Sequence, residues 1–323
     1  MRRLAVVIAT LASASAGACG PYGHCAAPAN ARDLPARLSE TGLWADGARA
    51  VAVSNRPYRP RFELWSDGAR KRRWIRLPHG RTIDTHDMDD WELPPGTTLW
   101  KEFSSSGRRL ETRMLRRSEA GDWAGVAYVW NDEQTDAFAA PQGALDPLGV
   151  AHVVPSAGEC NACHAGRRSF VLGFSAVQLA HDAPDEEELT LARAVSAGLL
   201  SRPPIAPIGL VGDDDDHEAL GYLHANCGHC HNGGGPRKDC FTPPRRLDLW
   251  LRAADSDPAQ THTVQSLRLD GAIDVAAPDE SRILDRMTHA GVFTRRMPPL
   301  GTTRADEEAL AVLRRWIAKG RSK

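Results

Sequence analysis

Several features are scarce in this sequence, and each scarcity narrows what the protein can be. Neither charge dominates, because 40 Lys and Arg residues stand against 41 Asp and Glu residues. This balance argues against a basic nucleic-acid-binding protein. No stretch approaches the roughly 18 consecutive apolar residues that a membrane-spanning helix requires. Cysteine is also scarce, with seven residues in a chain of 323. We therefore expect no nucleic-acid partner and no transmembrane helix.

The amino-terminal segment has the layout of a secretory signal. It has a charged start, a short apolar run and a small-x-small cleavage site before Cys19. This layout predicts a signal peptide at residues 1–18 and a flexible tether at 19–37, which is rich in Ala, Gly and Pro. Cys19 also follows the pattern of a bacterial lipobox. We expect a periplasmic protein that is either soluble or anchored to a membrane only through a lipid at Cys19.

The remaining chain divides by composition into a β-rich part and a helical part. Residues 38–150 hold short alternating segments between Gly and Pro turns, which predicts a β-rich domain. Residues 151–213 form a connecting segment, and 214–323 carry helical spacing that extends through the HEALGYLHANCGHCH stretch. The fold class is therefore α+β, with an N-terminal β-rich domain followed by a mainly α-helical domain. Seven of the nine tryptophans lie before residue 150, where core packing explains them.

Four cysteines form two identical C-x-x-C-H motifs. The first motif is Cys160, Cys163 and His164, and the second motif is Cys227, Cys230 and His231. Three chemistries use such pairs. A zinc ribbon normally has 15 to 20 residues between its pairs and does not need the histidines, and a reactive dithiol needs a strand before a helix in a βαβ unit. A covalent c-type haem uses both thiols and the following imidazole. Export, which cytochrome c maturation requires, also favours two covalently bound haems.

Cys25 and Cys240 are left over, and we expect them to form a disulfide bridge or to be buried.

A low-spin haem needs a distal ligand, and the sequence offers one for the second motif only. Met297 lies in an Arg-Met-Pro-Pro segment after His231 and before an amphipathic terminal helix, the order found in single-haem cytochrome c domains. No methionine occurs between His164 and Cys227. The candidates for the first haem are His181, His152 and Met114. A five-coordinate iron with an open position is the alternative.

Four further residues near the motifs have weaker interpretations. Arg167 and Arg168 are suited to pair with haem propionates. His224 and His229 are expected to be exposed or to pack at a haem edge.

The motifs resemble those of a largely uncharacterised family of exported bacterial dihaem c-type cytochromes. The similarity covers roughly Leu38 to the C-terminus and rests on the segments LWSDGARKRRWIRLP, GTTLWKEF, YVWNDEQTDA, CNACHAGRRSFVLGFSAVQL, LGYLHANCGHCHN and RMPPLGT. The C-terminal part resembles a small class I-like cytochrome c domain. The resemblance implies haem ligation by the seven residues Cys160, Cys163, His164, Cys227, Cys230, His231 and Met297.

Three functions are compatible with these features. The favoured one is an electron-transfer cytochrome whose partners are periplasmic or membrane redox proteins. The second is a haem enzyme, peroxidase-like or a small-substrate oxidase, with a five-coordinate first haem fed by the second. The third is a non-redox binding domain fused to a cytochrome. The sequence leaves open whether the protein is an enzyme.

Overall fold

The computed structural model describes residues 33–46, 50–233, 246–289 and 296–320. The predicted signal peptide and the cysteines at positions 19, 25 and 240 lie outside the described residues. The α+β class holds at the level of secondary structure, because a strand-rich N-terminal part precedes a part with most of the helices.

Ten strands occur in the first half of the described chain. They are β1 (Trp44–Asp46), β2 (Ala50–Val51), β3 (Arg56–Pro57), β4 (Arg70–Arg76), β5 (Thr98–Ser105), β6 (Arg108–Arg117), β7 (Trp123–Trp130), β8 (Ala137–Ala139), β9 (Ala144–Leu145) and β10 (Val153–Val154). Strands β3 to β8 form one six-stranded antiparallel sheet in sequential order. The other four strands form the pairs β1–β2 and β9–β10. The alternating segments RKRRWIRLP, TTLWKEFS, RRLETRMLRR and WAGVAYVWN, which predict strands, correspond to β4, β5, β6 and β7.

Seven α-helices follow or flank the sheet. They are α1 (Ala157–His164), α2 (Ala176–Leu179), α3 (Leu191–Ser196), α4 (Asp214–Asn226), α5 (His262–Leu269), α6 (Arg282–Thr288) and α7 (Glu307–Ala318). The predicted helix through the second motif is shorter than expected, since α4 ends at Asn226 and the motif follows as turns. Among the described residues, no helix is long and apolar enough to cross a membrane.

The two faces of the six-stranded sheet pack against different parts of the chain. Side chains alternate along β5, so that Trp100 points to one face while its neighbours Leu99 and Lys101 point to the other. The Trp100 face belongs to a core cluster with Met114 and with residues of the N-terminal segment, including Leu38. Residues 35–37, in the predicted tether, also hydrogen-bond to β7 and β8. The opposite face of the sheet, which carries Lys101, faces α1 and the segments after it.

The helical part has a separate core between α4 and α7. Leu310, Leu313 and Ile317 are buried on one face of α7, as their spacing predicts. The run of aspartates at 213–216 begins α4, and Asp216 is buried and accepts a hydrogen bond from the Trp316 indole at 2.8 Å. The aspartate run therefore starts a helix and fixes it to α7.

A segment between β3 and β4 joins the sheet to the helical part. The Asp67 carboxylate accepts hydrogen bonds from the backbone N–H groups of Thr303 and Arg304. The Trp65 N–H donates to the Asn226 side chain at 2.6 Å, at the end of α4. These contacts place the Met297 loop and the end of α4 beside the sheet.

The α4–α7 core predicts a large difference between two leucine substitutions. Leu310 is fully buried and Leu269 is 89% exposed. We expect Leu310→Ala to lower the free energy of unfolding by about 2 to 5 kcal/mol because it leaves a cavity. The matched control, Leu269→Ala, should change it by less than about 0.5 kcal/mol. Urea denaturation of both variants measures this, and equal effects would contradict the packing described.

Candidate functional site

The first motif lies on a short capped helix above the sheet. Ser156 and Glu159 form a capping box at the start of α1, which satisfies backbone donors there. The helix packs against β7. Cys160 and Cys163 therefore lie one helical turn apart on α1, which the capping box and β7 hold in place.

The His164 imidazole is held in one tautomer. Its Nδ1 lies 2.8 Å from the carbonyl oxygen of Phe170, so Nδ1 must donate and Nε2 keeps its lone pair. Burial lowers the pKa of His164 to about 4, which keeps the ring neutral at physiological pH. A neutral imidazole fixed through Nδ1 is the state in which histidine binds a metal through Nε2.

The second motif begins where α4 ends. The Cys227 N–H still donates to Leu223, and the His231 N–H donates to the Cys227 carbonyl at 2.8 Å, so the motif is wound as a further turn. Burial lowers the pKa of His231. Its Nδ1 is buried and has no hydrogen-bond partner among the described residues. Residues 234–245, which follow the motif, lie outside the described residues.

The two motifs are in direct contact. A Cβ atom on Gly166, two residues after the first motif, would overlap the carbonyl oxygen of His229 within the second. The Asn232 side chain donates to the Gly166 carbonyl at 3.3 Å. Cys163 and Cys230 are also close enough for the charge on one thiolate to raise the pKa of the other thiol. The 62 residues between the motifs therefore return the chain to the same place.

None of the four thiols has the character of a reactive dithiol. All four are free and form no disulfide. Burial raises the pKa of each, Cys160, Cys163, Cys227 and Cys230, to about 12. Reactive dithiols depend on a thiol pKa below the ordinary value. Within the described ranges, no three His, Cys, Asp or Glu side chains converge into a metal-binding group.

A cavity separates the first motif from the sheet. It contains about 1030 Å³ of space between atoms, a figure that includes open solvent. One wall is formed by Cys160, Cys163 and His164, and the opposite wall by β5, β6 and β7. A third side is formed by residues 298–302 together with Trp65. The mainly apolar walls suit an apolar planar cofactor.

The sheet wall of this cavity is strongly basic. Four basic side chains lie on the cavity face of the sheet, Lys71, Arg73, Lys101 and Arg113. Lys71 and Arg73 pair with Glu63, and Arg113 pairs with Glu111. Arg113 is held by Glu111 at 2.6 Å. Lys101 makes no hydrogen bond or ion pair with any described residue, and its Nζ lies 4.9 Å from the centre of the Phe103 ring.

The three distal-ligand candidates do not present their side chains to this cavity. His181 is half-buried, and its two ring nitrogens lie 2.7 and 3.1 Å from the Arg59 and Asp182 carbonyl oxygens. His152 is buried and its Nε2 contacts Glu111 at 2.7 Å. Met114 borders the cavity, but its side chain packs in the cluster on the opposite face of the sheet.

The Met297 loop is placed beside the first motif. The Met297 N–H donates to the Arg286 carbonyl at 2.7 Å, and the residues from Pro298 to Thr302 border the first-motif cavity. Within the part of the chain that the structure describes, Met297 and His231 form no hydrogen bond with each other. Residues 290–295, which precede the loop, lie outside the described residues.

The histidines and arginines given weaker interpretations have defined partners. His224 and His229 are both buried, which excludes exposure and leaves packing at a haem edge as the expectation. His224 accepts the Leu251 N–H through Nδ1 at 3.1 Å and packs on Trp250. Of the two arginines, Arg167 pairs with Asp90 at 3.4 Å, and Arg168 pairs with Glu92 at 3.3 Å.

Sequence reasoning missed Lys101, Arg113 and His229 as residues bordering the cavity. A signal for the first two exists in the alternation of β5 and β6, which places them on the face opposite the tryptophan cluster. No comparable signal marks His229, because its burial depends on the contact between the motifs.

Comparisons of the chain with protein-family models, curated proteins and solved structures found no match.

The motif contact predicts that Gly166 does not tolerate a side chain. We expect Gly166→Ala to lower the free energy of unfolding by about 1 to 3 kcal/mol, because the added methyl group overpacks against the His229 backbone. Gly209 is the matched control, since a Cβ there meets no atom within 4 Å. Urea denaturation of Gly166→Ala and Gly209→Ala measures the difference. A Gly166→Ala protein as stable as the control would show that the motifs are not in contact.

Proposed function

We propose that the protein is an exported dihaem c-type cytochrome that carries out electron transfer, with haems attached at Cys160/Cys163 and at Cys227/Cys230. The observation that carries this proposal is the direct contact between the two C-x-x-C-H motifs at Gly166, His229 and Asn232. Two haems attached to motifs in contact are neighbours, and electron exchange between neighbours needs no intervening carrier.

The residues of the first motif fit a covalently attached haem. Two free thiols lie one helical turn apart, and His164 keeps Nε2 available because Phe170 binds its Nδ1. The cavity beside them has the mainly apolar walls that suit a porphyrin. When bound, a haem supplies an iron that accepts and releases one electron. The chain attaches the group, orients the proximal imidazole and limits the access of water.

The second motif provides the same set of groups. Its thiols are free, and the orphaned Nδ1 of His231 is a buried ring nitrogen that needs a partner. Under this proposal His231 is the proximal ligand and Met297 is the distal ligand, as the order of a single-haem cytochrome c domain implies. Export to the periplasm provides the maturation system and the redox partners.

One observation favours a haem enzyme as a second candidate. The side chains of His181, His152 and Met114 do not enter the first-motif cavity. An iron at the first motif that lacked a distal ligand would have an open position for a small substrate. A fused binding domain is less well supported, because the sheet face is a wall of the same cavity rather than a separate cleft.

Haem stoichiometry in cysteine variants tests the dihaem proposal. The exported holoprotein should carry two haems, and the double variants Cys160→Ser/Cys163→Ser and Cys227→Ser/Cys230→Ser should each carry one. Cys25→Ser is the matched control and should keep two, because Cys25 is outside both motifs. The measurement is the haem-to-protein ratio with peroxidase staining of denaturing gels. An unstained protein that contains zinc would contradict the proposal.

A further inference from the structure

On the basis of the proposed dihaem function, we propose that the ε-amino group of Lys101 is the distal ligand of the iron attached through Cys160 and Cys163. The sequence offers no convincing residue for this ligand position. A ligand on the sheet would give the β-rich part a direct role at the first haem.

Lys101 lies on the wall that faces the first motif. It is in the middle of β5, on the same face as Leu99 and Phe103, and it borders the cavity together with His164. It also borders a smaller neighbouring cavity lined by His229, next to the second motif. Among the charged groups that act on the His164 imidazole, Lys101 has the largest effect. The amine and the imidazole thus border one space from two sides.

The Lys101 amine has no hydrogen-bond or ion-pair partner among the described residues, and its charged neighbour Arg113 is already held by Glu111. Its contact with the Phe103 ring does not satisfy the three donors of an ammonium group. The Lys101 side chain is half-buried, so its amine borders the cavity without a protein partner among the described residues.

The surroundings favour the neutral amine, which has the lone pair that a metal needs. Burial lowers the pKa of Lys101 well below its ordinary value, and the positive charges of Arg73, Arg113 and Lys71 lower it further. Glu63 opposes this effect, but it already pairs with Arg73 and Lys71. Lysine changes its protonation state readily when it is buried, whereas arginine does not.

The other groups bordering the cavity are less suited to the position. Arg113 has no lone pair at any accessible pH. Met114 packs on the far side of the sheet. His229 is the nearest competitor, because its Nδ1 is buried and has no hydrogen-bond partner among the described residues, although its ring also interacts with the Ala225 carbonyl. Lys101 differs from His229 in lying on the sheet wall, across the cavity from the first motif.

The test measures the spin state of the first haem in holoprotein that carries only that haem, obtained with Cys227→Ser/Cys230→Ser. In this background the ferric haem should be low-spin by electron paramagnetic resonance. Lys101→Ala should convert all of it to high-spin and make the reduced form bind carbon monoxide. Lys101→Arg keeps the positive charge but cannot ligate, so it should give the same conversion. Lys71→Ala removes a charge from the same sheet face and should leave the haem low-spin.

The outcomes separate this inference from the dihaem proposal. A first haem that is attached but stays low-spin in both Lys101 variants would overturn the ligand assignment alone. Low-spin character that is lost in His229→Gln and kept in Lys101→Ala would also overturn the ligand assignment. A single-haem parent protein that is already high-spin would overturn it as well. Absence of any haem at Cys160 and Cys163 would instead overturn the proposed function.

Discussion

The contact between Gly166 and the His229 backbone is the constraint on which the rest of the site depends. It holds the two C-x-x-C-H motifs together although 62 residues separate them, and a side chain at position 166 would not fit there. Asn232 adds a hydrogen bond across the same junction. The segment around Trp65 and Asp67 then joins the sheet to the end of α4 and to the loop after Met297. The cavity is what remains between these fixed elements.

The six-stranded sheet serves two different purposes on its two faces. On one face, tryptophans and Met114 form a closed apolar core with the N-terminal segment. On the other face, basic side chains outnumber carboxylates beside a cavity, which leaves Lys101 without an ion pair. The β-rich part therefore forms one wall of the candidate site.

Local features could be predicted from the sequence, whereas long-range placement could not. Alternation predicted β4 to β7, and helical spacing predicted the buried face of α7. The two C-x-x-C-H motifs are local features that can be identified from the sequence alone. The strand register that turns Met114 away and Lys101 inward depends on tertiary packing, as does the carbonyl of Phe170 that binds His164. The end of α4 at Asn226 was missed because helical spacing continues into the motif.

The central claim is that the two haems are neighbours, and magnetic interaction between them tests it most directly. Electron paramagnetic resonance of the fully oxidised holoprotein is compared with the spectra of Cys160→Ser/Cys163→Ser and Cys227→Ser/Cys230→Ser, each of which keeps one haem. Because the motifs are in contact, the spectrum of the parent protein should differ from the sum of the two single-haem spectra through spin coupling. A parent spectrum equal to that sum would contradict the account.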